Sequence, residues 1–281
     1  MKALTLVPGI LLLVSSGFVR AEASHHQAGA GQVVSTATTS ALESLGQTAA
    51  PDWVLRLLPI VLSTDGGFDE HGMRIPLVAA DRITLVSGNA YVERRLGTSF
   101  AVAAFTGWQV LLIDEAAGHR RVTSLGDSFL SGRYETRFDW GSLATLATVK
   151  IPGTYPESAA TSTKQVDAEA RLVASVPEFL SRVGIVVGVG YRLRLGGVKD
   201  EVVANVAVPV RLVDTVTLTA SGLVGIAVGF GDVAKGSVIP GLTLGWRATP
   251  SLDLSIGYLR TVYGQNIAEA NIVTASIGTV F

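Results

Sequence analysis

Ser251 to Phe281 reads SLDLSIGYLRTVYGQNIAEANIVTASIGTVF. Leu252, Leu254, Ile256 and Tyr258 alternate with Asp253, Ser255 and Gly257, a period of two that sends successive side chains to opposite faces of a strand. After a polar loop from Gly264 to Glu269, a second alternating run carries the chain to Phe281. The stretch predicts an antiparallel hairpin that ends on an aromatic residue. In bacterial outer-membrane barrels the last strand ends on an aromatic side chain that faces lipid and is read by the assembly machinery. Phe281 is therefore the candidate assembly signal.

The rest of the chain extends this reading. Mean hydropathy is +0.43, yet beyond the first 20 or so residues no uninterrupted apolar run approaches the ~18 residues that a membrane helix requires. Strands with one apolar and one polar face bury much apolar surface in lipid without any long hydrophobic segment, so composition favours a barrel over a helical bundle. The 31 glycines fall mostly inside alternating runs, where they permit curvature and close backbone approach. A net charge of −1 and a pI near 6.4 supply no basic stripe for nucleic acid. With no cysteine there is no disulfide or thiolate metal site, and no metal or cofactor pattern is found.

Met1 to Ala23 has a basic Lys2, an apolar core from Leu4 through Val14 and small-residue cleavage sites at Val19-Arg20-Ala21 or Ala21-Glu22-Ala23. It reads as a secretory signal peptide, so the mature chain is expected to be exported, and the barrel reading makes its expected location after cleavage the bacterial outer membrane. Residues 24–51, rich in Ala, Gly, Ser, Thr and Gln, read as an N-terminal flexible segment or a small plug folded into the barrel. Neither segment belongs to the barrel, which occupies residues 52–281.

From Trp53 onward about twelve strands of roughly 11 to 16 residues can be placed, long enough to span an outer membrane when tilted. They run near 53–63, 80–95, 97–108, 126–138, 140–151, 165–176, 182–194, 199–212, 214–229, 237–248, 251–263 and 270–281. Connections after the even strands are short and those after the odd strands mostly longer and polar. An up-and-down antiparallel transmembrane barrel with both termini in the periplasm has this pattern.

The period of two also assigns faces. In the fourth strand Ser131, Arg133, Glu135, Arg137 and Asp139 share one side, and charges facing lipid cost a few kcal/mol near the midplane, so this side is the lumen. The same logic turns Asp167, Glu169 and Arg171, then Arg192 and Arg194, then Glu201 and Asn205 inward, and Ile185, Val187, Val189, Tyr191, Val206 and Ile226 outward. The strands at 80–95 and 140–151 alternate poorly, and their faces stay open. Trp53, Trp140 and Trp246 fall where a periplasmic aromatic belt is expected; Trp108, Tyr191, Phe230 and Tyr263 fall at the external one.

Several motifs in order resemble a known outer-membrane family. They are Leu125-Gly126-Asp127-Ser128, Val149-Lys150-Ile151-Pro152-Gly153-Thr154-Tyr155, the run from Lys164 to Leu172, Gly190-Tyr191-Arg192-Leu193-Arg194 before Asp200-Glu201, and the closing Ser255 to Asn266. They are similar to the family described as "protein involved in the meta-pathway of phenol degradation", itself similar to the larger group of fatty-acid and toluene channels. The resemblance implies a small outer-membrane barrel that admits hydrophobic or aromatic compounds.

The lumen residues Arg133, Glu135, Arg137, Asp139, Asp167, Glu169, Arg171, Arg192, Arg194 and Glu201 have two readings: a salt-bridge network that fills and rigidifies the barrel, or a polar constriction that selects solutes. Gly225, Gly229 and Gly231 mark the place to look for a lateral gap between strands. The expected surroundings are outer-membrane lipid and lipopolysaccharide, the barrel assembly machinery and a small hydrophobic solute. Two other classes compete. A lipid-modifying enzyme would need a base, and His71 and His119, with Asp69, Glu70 or Asp114, sit in the first two external loops, but no nucleophile elbow is present. An adhesive barrel would act through those loops, DGGFDEHGMR and DEAAGHRR.

Overall fold

The computed structural model describes residues 13–16, 32–35, 52–77, 80–116, 118–154, 165–195, 199–229 and 236–281. Twelve strands form the wall: β1 (Trp53–Phe68), β2 (Arg82–Leu96), β3 (Phe100–Glu115), β4 (Ser128–Phe138), β5 (Gly141–Ile151), β6 (Val166–Leu180), β7 (Val183–Leu195), β8 (Asp200–Val213), β9 (Val216–Val228), β10 (Gly236–Thr249), β11 (Leu252–Arg260) and β12 (Ile267–Val280). Each pairs antiparallel with its sequence neighbours, and β12 returns to pair with β1. The seam closes at its end with reciprocal backbone hydrogen bonds, Trp53 N to Phe281 O at 3.0 Å and Phe281 N to Trp53 O at 3.2 Å. The fold is an all-β, closed up-and-down barrel, and among the described residues none is helical. Closure leaves the wall without a free edge, the condition for a sheet to sit in a medium that offers no hydrogen bonds.

At one end the connections are the turns 97–99, 139–140, 181–182, 214–215 and 250–251. At the other the chain extends beyond the wall. The outer part of β1 folds back on Arg74–Pro76, and the outer part of β3 on Gly118–Leu125. These two extensions carry β1 and β3 past the expected ends at 63 and 108. Ser63 to Gly67 resembles a polar turn in sequence, but Ser63 and Thr64 stay paired with Thr84 and Ile83 of β2, and Gly66 and Gly67 pair with Pro76 and Ile75 across the hairpin. A separate ladder pairs Leu13–Ser16 with Gln32–Ser35. The remaining residues of the expected signal peptide and N-terminal segment, with Phe230 and Gly231, lie outside the described residues.

The two faces differ in chemistry. Leu57, Leu130, Val189, Ile226, Leu242 and Ile256 point outward and are exposed, a continuous apolar surface that water would not tolerate on a monomer. Trp53, Trp140 and Trp246 are exposed at or near the short-turn end, and Trp108 is exposed where β3 passes from pairing with β4 to pairing with its own hairpin. β2 and β5, whose faces the sequence leaves open, turn Ile83, Leu85, Ser87, Tyr91 and Glu93, and Ser142, Ala144, Leu146, Thr148 and Lys150, inward. Their alternation is weak because small and apolar residues occupy both faces.

Candidate functional site in the lumen

The inward side chains sort into one apolar wall and two ionic groups. Near the loop end, Val203, Leu223, Ile239 and Leu259 continue through Ile272, Ile60 and Leu62 to Leu85 and Leu111, a contiguous apolar wall running from β8 round to β3. Leu77 and Ala80, from the connection after β1, and Val122 of the β3 hairpin pack against it. Several of these side chains are 0–2% exposed, so this end of the lumen is packed shut in this structure.

Opposite lies the larger ionic group, on β5 to β8 and the residue before β4. Lys150 Nζ is 2.7 Å from Asp167 Oδ2 and 3.9 Å from Asp127 Oδ2, while Gln165 donates to Asp167 at 3.0 Å. Arg171 pairs with Glu169 at 2.5 Å and donates to Asn205 at 3.2 Å. Arg192 bridges two carboxylates, meeting Glu169 at 2.7 Å and Glu201 at 2.9 Å, and Arg194 meets the same Glu201 oxygen at 2.6 Å. The cations Lys150, Arg171, Arg192 and Arg194 are matched by the carboxylates Asp127, Asp167, Glu169 and Glu201. The geometry explains how such a set is tolerated: the strand period brings each charge to the lumen, and the register sets Asp167 opposite both Lys150 and Arg194 and Arg192 opposite both Glu169 and Glu201.

The second ionic group lies toward the short turns. Glu93 accepts Tyr91 Oη at 2.5 Å and Arg133 at 2.9 Å, Arg133 reaches Glu135 at 3.6 Å, and Arg137 meets Glu135 at 3.3 Å. Across the seam Arg56 pairs with Asp253 at 2.7 Å.

The sequence candidates therefore divide. Asp167, Glu169, Arg171, Arg192, Arg194 and Glu201 come together at the loop end. Arg133 and Glu135 belong to the other group, and Arg137 stands half-exposed at the short-turn mouth. Asp139 is a correction: it occupies the exposed 139–140 turn, because β4 ends at Phe138. Gly225 is a second correction. It is paired on both sides, with Val203 and with Ser237, and makes no gap in the wall; the Glu201 carboxylate fills the space where its side chain would be. Gly229, with φ +75°, follows the end of β9 beside Asp200.

Sequence reading missed Arg56, Glu93, Asp127 and Lys150. Arg56 is a single charge in an apolar run, and Glu93 and Lys150 lie on the strands with poor alternation. The apolar wall was missed as well, since inward Leu and Ile look like outward ones in sequence.

At the mouth, the connection after β1 is tied down. Asp69 Oδ1 accepts His71 N at 2.9 Å and Met73 N at 2.8 Å, and Asp69 O accepts Asn266 N at 3.0 Å. Glu269, buried on β12, holds Arg74 and also Arg260, the latter at 2.9 Å. Gly72 has φ +79°, and a Cβ there would come within 2.7 Å of the Tyr263 ring.

No protein-family profile and no curated protein matches this sequence. Among solved structures the chain is similar to the COG4313 outer membrane channel from Pseudomonas putida F1, with 9% identity, a TM-score of 0.67 and coverage of 84% of this chain and 97% of that one. It is also similar to the KdgM porin in complex with disordered oligogalacturonate, at 6% identity, TM-score 0.55 and coverage of 81% and 99%. The NanC porin gives 8% identity, TM-score 0.54 and coverage of 81% and 98%. The likeness is one of fold. It is the fold of outer-membrane channels and porins.

Proposed function

We propose that the protein is an outer-membrane channel for passive passage of small apolar or aromatic solutes. The observation that carries this reading is the divided lumen: an apolar wall faces an ionic wall whose charges are equal in number and paired. A balanced ionic wall presents little net field to draw ions through, whereas the apolar wall lowers the cost of carrying an organic molecule. The motif resemblance to the phenol-degradation family supports aromatic solutes. The outward apolar surface suits outer-membrane lipid and lipopolysaccharide, and exposed Phe281 is the residue we assign to the barrel assembly machinery. Passage requires the segment carrying Leu77 and Ala80 to move off the apolar wall.

This reading assigns no catalysis, cofactor or nucleic-acid partner. His119 is engaged by Asp114 at 2.8 Å on an exposed hairpin, and His71 lies 3.8 Å from Glu70. The test is flux of the refolded mature chain in liposomes, with conductance in planar bilayers, across a panel of ions, aromatics and alkanes. Uptake of apolar aromatics above protein-free vesicles, with little ionic conductance, is the expected result. Steady unselective conductance would replace this reading with a general porin, and no flux of any kind would retire it.

A further inference from the structure

A set of buried polar groups is left over when the ionic wall is paired. Arg194 gives Nη2 to Glu201, yet its Nε and Nη1 have no hydrogen-bond partner among the described residues although the side chain is 0% exposed. Round the inner face, Glu201 fills the space beside Gly225, and Gly225 pairs with Ser237. Ser237 is 1% exposed and its Oγ is also without a partner among the described residues. Just past the end of β11, where Val262 N donates to Val238 O, Thr261 is 0% exposed and its Oγ1 has no partner among the described residues. On the same faces, two residues toward the short turns, stand Leu223, Ile239 and Leu259 of the apolar wall. A buried polar atom without a partner costs ~1–3 kcal/mol, and native proteins keep few of them. Several along one rim mark a place where another molecule supplies the missing acceptor.

We infer that Arg194, Ser237 and Thr261 form the head-group end of a solute site. Its ligand is a small neutral molecule with an apolar body and one acceptor oxygen, such as a ketone, an ester or an alcohol. Two observations set this class. The guanidinium nitrogens can only donate and the hydroxyls are able to, so the ligand must present an acceptor. The surrounding ionic wall is already balanced, so a carboxylate would add an unmatched negative charge in a buried region, whereas a carbonyl oxygen accepts from up to two of the donors without one. The apolar body then lies along Leu223, Ile239 and Leu259, which are packed in this structure and are uncovered only when the lumen opens for passage. This assignment rests on the channel reading above and names the solute class for it.

The experiment is calorimetric titration of the refolded full chain in detergent micelles, referenced to protein-free micelles, with three probes of nearly equal size: acetophenone, ethylbenzene and benzoate. Acetophenone is expected to bind about tenfold or more tightly than ethylbenzene, the margin of one hydrogen bond to a charged donor, and more tightly than benzoate. Arg194→Met should abolish the difference between acetophenone and ethylbenzene. Should that variant fail to refold, Ser237→Ala combined with Thr261→Val, which keeps every charge, should narrow the difference several-fold. Equal binding of acetophenone and ethylbenzene by the folded wild-type chain would overturn the inference while leaving the channel reading in place. Tightest binding of benzoate would overturn the neutral class. Binding of none of the three overturns the inference, and absent liposome flux would then separately retire the channel reading.

Discussion

Glu201 is the residue on which the larger ionic group turns, since one of its oxygens receives both Arg192 and Arg194 at 1% side-chain exposure. Removing one member of a buried ion set leaves uncompensated charge, so Glu201→Ala is expected to destabilise the barrel by ~3–5 kcal/mol, read as a lower urea midpoint in micelles. Gly225→Val should act in the same direction by driving a branched side chain into the Glu201 carboxylate. Inward placement of Glu201, Arg192 and Arg194 was legible from the period of two. Their partners were not, because pairing depends on how far adjacent strands are staggered, which no local pattern states. Lys150 illustrates the difficulty. Its strand carries Ala144 and Leu146 inward beside Ala147 and Val149 outward, and nothing in that run distinguishes the two sides.

At the scale of the element, each strand presents one side to lipid and one to the lumen, and the two sides should respond differently. Val189 is 53% exposed on the outer side of β7; Val189→Arg is expected to cost about 2–4 kcal/mol near the midplane, measured by denaturant titration in bilayers. The connection after β1 is the other element with a defined consequence. Glu269 anchors it through Arg74, so Glu269→Gln should loosen the segment bearing Leu77 and Ala80 and raise solute flux several-fold, with the circular-dichroism spectrum unchanged. Unchanged flux would mean that this segment does not limit passage. Strand positions were readable because alternation and turn residues coincide, as at Asp139-Trp140. The hairpin extension of β3 was not, because its returning arm, His119 to Leu125, pairs with β3 alone and is mostly exposed, so burial imposes no pattern on it.

For the whole molecule, the outer apolar surface edged by tryptophans predicts a depth signature. Trp53, Trp108, Trp140 and Trp246 are all exposed on the outside, so lipids brominated close to the headgroup should quench their fluorescence more than lipids brominated near the chain ends. Equal quenching at both depths would contradict the belt arrangement. The seam between Trp53 and Phe281 carries a different implication. It joins the start of the first wall strand to the residue that follows the last wall strand, a contact of very large sequence separation. Such high contact order makes folding slow, and until the seam forms both terminal strands present bare edges to any neighbour. All twelve strands must therefore be in place before the wall can close, and whatever shields them during that interval from aggregation is as necessary to the finished barrel as any residue within it.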